Sequence, residues 1–188
     1  MDFVNVTKDL VNLTLRLSRF EEKRNYISLS HIVKPAEHLI ADYKKGFQFN
    51  TVTKLKCYKG YQMEEDLLRR LIILYPNAIT TGTEYSLHNG LFKGHPDFEY
   101  LGMPGDCKSV LMDEWLPALP DCKLPLKVIF QMNAYMMCAD KNNAVVVYES
   151  RENGVLRHAW LKKDEFVQKE ISEKIEIIRY ELNQEGNK

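Results

Sequence analysis

Apolar residues recur at helical spacing in the first half of the chain, where Leu67, Leu68, Leu71, Ile72 and Tyr75 share one face at about 100° per residue. This pattern predicts a helix over residues 60–72. A second helical run covers 124–138 after Pro125, with Phe130, Ala134, Met137 and Cys138 as its apolar stripe, and a third covers 163–182. Nearer the start, Ser30 stands where it would cap a helix beginning near His31. Elsewhere the period shortens to two, which predicts extended segments over 83–88, 91–101, 106–110, 144–149 and 155–161. Asn89-Gly90 is a strong hairpin signal, and Asn153-Gly154 falls in the turn before the last strand. The order helix, helix, strands, helix, strands, helix predicts an α/β sandwich with a mixed central sheet flanked by helices.

At 188 residues and 45% hydrophobic content, the chain has enough apolar material for one domain with a substantial core. We read a single domain over 1–188, made of an N-terminal helical and basic segment (1–60), a core (61–182) and a frayed tail (183–188). A long connection, 111–123, precedes the helix after Pro125, and no internal repeat or low-complexity stretch occurs. No apolar segment follows a basic start, and every apolar run, 71–75 among them, is far too short to cross a bilayer. The expectation is a soluble cytoplasmic protein that does not engage a membrane. Cys57, Cys107, Cys122 and Cys138 are widely spaced, with no Cys-x-x-Cys pair, which argues against an iron–sulfur cluster or structural zinc and suits free thiols in a reducing compartment. Nor do His31, His38, His88 and His158 have metal-ligand spacing.

Net charge is zero and gives no global argument for a polyanionic partner. Its distribution says more. Residues 1–60 hold 11 Lys/Arg against 6 Asp/Glu, leaving +5, and the remainder balances this at −5. Lys44, Lys45, Lys54, Lys56 and Lys59 interleave with Tyr43, Phe47, Phe49 and Tyr58. Such a mixture can follow a phosphate backbone and stack on bases. It is equally what a solvated helix end and strand with buried aromatics would look like.

The candidate chemistry centres on Gly94-His95-Pro96-Asp97 and on Asp106-Cys107-Lys108. Asp106 and Lys108 leave the same face of a strand roughly 6.5 Å apart, while Cys107 points to the other side. Phe98-Glu99-Tyr100-Leu101 and the turn-forming Gly102-Met103-Pro104-Gly105 predict a hairpin that brings Asp97 toward Asp106. Two carboxylates plus a backbone carbonyl make a hard oxygen site for Mg²⁺ or Mn²⁺, and an adjacent lysine suits phosphodiester cleavage. Spacing alone is also compatible with a surface hairpin carrying ordinary charges. Pro120-Asp121-Cys122-Lys123 repeats the same letters among prolines and reads as a loop.

Glu64 falls near the middle of the apolar face of the 60–72 helix, with Glu65 at its edge. A carboxylate aimed at a core needs a partner, so Glu64 is a candidate third metal ligand. The other reading is that residues 64–66 simply offset the dipole at a helix N-terminus. Gln131 and Tyr135 are four apart and neighbours on the surface of their helix, able to reach a phosphate or a metal-bound water; an ordinary helix face has the same spacing. His95 abuts the proposed site, and both a substrate contact and a structural role beside the hairpin are open.

Taken in order, Gly-x-x-x-Glu, Gly-His-x-Asp, Asp-x-Lys and Gln-x-x-x-Tyr resemble the RecB-like exonuclease branch of the PD-(D/E)XK nuclease superfamily, from residue 27 to the last helix. That resemblance implies a three-layer, restriction-endonuclease-type core and a Mg²⁺- or Mn²⁺-dependent nuclease acting on DNA. Exonucleolytic processing of ends in recombination, repair or phage replication is favoured. By the same resemblance Glu64, Asp97 and Asp106 would hold the metal with the Cys107 carbonyl. Lys108 would be the catalytic lysine, and Gln131 and Tyr135 would support the site and the DNA. His95, Lys54 and Lys56 are the remaining candidate substrate contacts. A homo-oligomer or a recombination or replication partner is compatible with it. A non-catalytic DNA- or partner-binding protein on the same scaffold, and a structure-selective or restriction-like endonuclease, are the competing readings.

Overall fold

The run Ala144-Val145-Val146-Val147-Tyr148 is apolar at every position because the strand it forms is buried on both faces. The rest of the chain is arranged around it. The computed structural model describes residues 25–46, 51–110 and 124–186. In chain order these form β1 (Ile27–Ser28), a 3-10 turn (Leu29–His31), α1 (Ala36–Lys45), α2 (Thr51–Leu74), β2 (Ile79–Thr80), β3 (Tyr85–Leu87), β4 (Phe92–Gly94), β5 (Phe98–Tyr100), β6 (Met103–Val110), α3 (Leu126–Ala139), β7 (Asn143–Ser150), β8 (Leu156–Lys162) and α4 (Glu165–Gly186). No helix among the described residues is long and apolar enough to cross a membrane.

The strands make two mixed sheets, one ordered β2-β5-β6-β7-β8 and a smaller one ordered β1-β4-β3. In the larger sheet β6 and β7 are parallel, with Asp106 opposite Val146 and Cys107 opposite Val147, and the other pairs are antiparallel. Pleating then sorts the side chains. Ala144, Val146 and Tyr148 join a core with α1, α3, α4 and the small sheet, whereas Val145 and Val147 pack with Cys107, Phe98 and the α2 residues Leu67 and Leu71. Helices therefore cover both faces, as the α/β expectation requires. Arg70 on α2 is ion-paired with the nearly buried Glu149 of β7, which ties that helix to the sheet. At the other side Asp164 caps α4 by accepting from the Phe166 and Val167 N–H groups at 3.0 and 3.2 Å.

Several boundaries differ from the sequence reading for identifiable reasons. The 60–72 helix begins at Thr51, so the Lys54 to Lys59 stretch read as a helix end and strand is helical; the side chains of Lys54 and Lys56, Phe47, Phe49, the 111–123 connection and its Asp121-Cys122-Lys123 copy lie outside the described residues. Ile72 and Tyr75 are 38% and 50% exposed, so the buried stripe of α2 stops at Leu71. The first long helix starts at Ala36 behind Pro35 rather than near His31, and Ser30 spends its hydroxyl on the Ser28 hydroxyl at 2.8 Å instead of capping a helix. The extended segment read over 91–101 is broken at His95-Pro96-Asp97, which hands the chain from the small sheet to the large one.

The β5–β6 hairpin forms as expected but turns on two residues, Leu101 and Gly102, both in the left-handed region at φ 51° and 77°. Met103-Pro104-Gly105, read as part of the turn, is already strand. Two glycines are fixed by close approach. A Cβ on Gly94 would stand 2.6 Å from Tyr135 Cε1, and one on Gly105 would stand 2.2 Å from the Phe98 ring.

Candidate active site

Four parts of the chain converge on one cavity. The link between β4 and β5 carries Asp97, β6 carries Asp106 and Lys108, and α3 carries Gln131 and Tyr135; all five line a cavity of about 330 Å³, together with Glu64 from α2. The separation of Asp106 and Lys108 by one residue puts both on the α3 side of the sheet, while Cys107 is buried on the α2 side. Asp97 is held from behind, its Oδ2 accepting the Cys107 N–H at 2.6 Å, so the hairpin's own backbone fixes the first carboxylate beside the second.

Asp106 is 1% exposed, and its two oxygens have different partners. Oδ1 accepts from Gln131 Nε2 at 3.0 Å. Oδ2 is ion-paired with the Lys108 ammonium yet has no aligned hydrogen bond, which leaves a buried anionic oxygen with unused acceptor capacity. Gln131 Nε2 also lies 3.3 Å from Tyr135 Oη, and Tyr135 donates to the His95 carbonyl at 3.1 Å. Gln131 and Tyr135 were read as a surface pair; they are neighbours, but 5% and 1% exposed. Their polar atoms brace Asp106 and the His95 backbone at the wall of the cavity.

Burial and mutual repulsion dominate the electrostatics. Burial raises the Asp97 carboxyl well above the usual range, Asp106 and Glu64 add to this, and Lys108 and the Cys107 N–H oppose it. Glu64 is raised by burial and by Asp106, against Lys108 and Lys127. For Lys108, burial works against the ammonium, but Asp106 and Asp97 outweigh it and the net shift is upward. The Cys107 thiol is pushed up by burial and then by the same carboxylates, which makes it a packing group and not a nucleophile. Glu64 therefore belongs to the acidic cluster. The helix-dipole reading of residues 64–66 does not apply, because the helix N-terminus is at Thr51.

Hard carboxylate oxygens that repel one another, one of them buried with acceptor capacity left, are donors of the kind that could hold a divalent cation. Among the described residues, however, no three His, Cys, Asp or Glu side chains are grouped so as to hold an ion. The side chains as they stand offer at most two carboxylates to one ion.

His95 itself is 57% exposed, with Nε2 3.6 Å from Glu84 Oε2. Lys93 donates to the same Glu84 at 2.9 Å, and this bond lowers the Glu84 pKa. Sequence reasoning missed the rest of the lining: Tyr26, Ser28, Ser30, Lys93 and Lys127. Only Lys127 had a usable signal, standing four residues before Gln131 and eight before Tyr135 on one helix face.

No family model matches the chain, and no curated protein matches it. Solved structures do. An alkaline exonuclease, LHK-Exo from Laribacter hongkongensis, aligns with a TM-score of 0.64 over 88% of this chain and 92% of that one, at 17% identity. LHK-Exo in complex with dAMP aligns at 0.62 over 90% and 91%, with 18% identity. A phage related exonuclease from Haemophilus somnus 129PT aligns at 0.59 over 87% and 95%, with 13% identity. At such identities the likeness is one of fold, and it agrees with the class expected from the sequence.

Proposed function

We propose that the protein is a divalent-metal-dependent deoxyribonuclease, an exonuclease in preference to an endonuclease, with Asp97, Asp106 and Lys108 at its centre. The observation that carries this reading is the convergence of the buried Asp106, its ion-paired Lys108, Asp97 and Glu64 on one cavity of about 330 Å³, on a fold shared with exonucleases. The neighbour that holds dAMP makes a DNA strand the substrate to test first. Recombination, repair or phage replication is the setting that suits such an enzyme.

Asp97, Asp106 and the Cys107 carbonyl would hold Mg²⁺ or Mn²⁺, with Glu64 contributing directly or through water. When bound, such an ion lowers the pKa of a coordinated water and neutralises charge on the phosphate. Lys108, whose ammonium is fixed by Asp106, donates to the attacking water or to the phosphoryl oxygen as charge develops there. Gln131 keeps Asp106 in place from α3, and Tyr135 anchors the His95 carbonyl at the mouth of the β4–β5 link. His95 is assigned to the DNA strand beyond the centre, and Lys54 and Lys56 are proposed as further DNA contacts on the sequence pattern alone.

One observation favours a second reading, a non-catalytic DNA- or partner-binding protein on this scaffold: among the described residues no three side chains are grouped to hold an ion. The deciding experiment is digestion of end-labelled linear and closed-circular DNA, single- and double-stranded, with Mg²⁺, Mn²⁺ or chelator. Asp106→Asn, checked for folding by circular dichroism, runs beside the wild type. Metal-dependent loss of linear but not circular DNA, absent in the variant, is the expected result. Cleavage of circles makes it an endonuclease, and undiminished cleavage by Asp106→Asn overturns the site. Absence of cleavage by folded wild type with either metal favours the binding protein.

A further inference from the structure

Three lysines line the candidate cavity, and two are already committed. Lys108 is paired with Asp106, and Lys93 is bonded to Glu84 with its ammonium 5.9 Å from the Tyr26 ring centroid. Lys127 is exposed on the first turn of α3 and has no hydrogen-bonded or ion-paired partner among the described residues. Its field reaches Glu64, so the cation faces the acidic centre without being neutralised by it. With Gln131 and Tyr135 it forms an i, i+4, i+8 stripe, of which the two deeper members are buried and the outermost is free to move.

The surroundings assign a direction. Ser28 and Ser30 offer hydroxyls 2.8 Å apart in the same cavity. A second cavity of about 350 Å³ shares Glu64, His95 and Asp97 with the first; its lining among the described residues includes Glu65, which is paired with Arg69 at 2.7 Å, and no lysine. A phosphodiester next to the scissile one is attracted to the Lys127 side of the cavity, where the ammonium is exposed.

We propose that Lys127 binds DNA directly, placing its ammonium on a non-bridging oxygen of the backbone phosphate beside the scissile one, and so sets the side from which the strand enters the cavity. This rests on the nuclease reading. A packing role for Lys127 predicts no change in counterion release on DNA binding, whereas a phosphate contact does.

The test measures the affinity of a labelled oligonucleotide against salt concentration, with Mg²⁺, in the Asp106→Asn background with and without Lys127→Ala. Expected are a loss of affinity on the order of tenfold near 0.1 M salt and a fall in the log–log salt slope of about 0.7 for single strands or about 0.9 for duplex. Lys127→Arg should restore the slope. An unchanged slope in Lys127→Ala, with DNA binding otherwise intact, overturns the Lys127 assignment alone. Failure of the wild-type protein to bind or cleave DNA overturns the nuclease reading and this inference with it.

Discussion

Gln131 reaches across from α3 to donate to Asp106 Oδ1 at 3.0 Å, and this single bond couples the most buried carboxylate of the cavity to the helix behind it. The same amide nitrogen is 3.3 Å from Tyr135 Oη, whose own proton goes to the His95 carbonyl at 3.1 Å. A chain of contacts thus runs from β6 through α3 to the β4–β5 link that carries Asp97. Asp97 and Asp106 are held in one register by elements distant in sequence.

Removing the amide should expose how much of the site depends on that chain. Gln131→Leu keeps the volume but leaves Asp106 Oδ1 buried without its donor, at a cost of about 1–3 kcal/mol. The urea midpoint should fall with an unchanged m-value. If the proposed nuclease reading holds, activity should fall mainly through kcat, since Gln131 is 5% exposed and braces Asp106 more than it meets substrate. A midpoint equal to wild type would mean that water replaces the amide.

Lys108→Met alone should be more destabilising than the pair of changes made together. It strands the Asp106 charge, for which removal of a buried partner costs about 3–5 kcal/mol, with the lower end fitting a lysine that is 29% exposed. Lys108→Met combined with Asp106→Asn removes both charges and should recover at least half of that loss while remaining inactive. Additive destabilisation in the double-mutant cycle would show that the pair is not coupled in the folded state.

Much of this site could be read from residue order, because its geometry is local. Asp106 and Lys108 share a face by strand pleating, and Tyr100 pairs with Met103 through a tight turn, so Asp97 could be placed beside β6 without any long-range knowledge. Gln131 and Tyr135 were recognisable as a pair by helical spacing, but their burial was not. It arises because α3 is enclosed by the 3-10 turn, α4 and both sheets, and a local pattern does not reveal what packs on its polar side. The start of α2 was missed for a related reason: its first turns carry Lys54, Lys56 and Lys59, whose polarity hides the helical period. Likewise Lys93 and Ser28 belong to the small sheet, whose parallel β1–β4 pairing joins segments more than sixty residues apart.

Gly105 should tolerate no side chain while Phe98 lies over it. The two are directly paired between β5 and β6, and the ring fills the space that a Cβ would enter at 2.2 Å. Gly105→Ala is expected to cost about 1–3 kcal/mol by overpacking. Phe98→Leu should relieve part of it, so the double variant loses less than the sum of the singles. Since Asp106 is the next residue, activity should fall in Gly105→Ala more steeply than stability does. A fully additive cycle would mean that the strand shifts as a whole rather than against the ring.

Alkaline pH should destabilise the protein in part through two groups away from the acidic centre. Burial pushes the Cys138 thiol from its ordinary 9.0 up to about 12. Tyr85 is raised well above its ordinary 10.0, first by burial and then by its bond to Glu99 Oε1 at 2.5 Å and the charge there. Both are acids held neutral in the folded chain, so the unfolded chain gives up their protons first. Their contribution to stability is therefore complete below the unfolded values and lost as pH rises, between 9.0 and about 12 for Cys138 and from 10.0 upward for Tyr85. Stability measured by denaturant titration should decline through that window. In Cys138→Ala combined with Tyr85→Phe the decline should be shallower, with roughly one to two fewer protons released on unfolding within that window. An identical slope in wild type and variant would show that both groups ionise in the folded state as readily as in the unfolded chain.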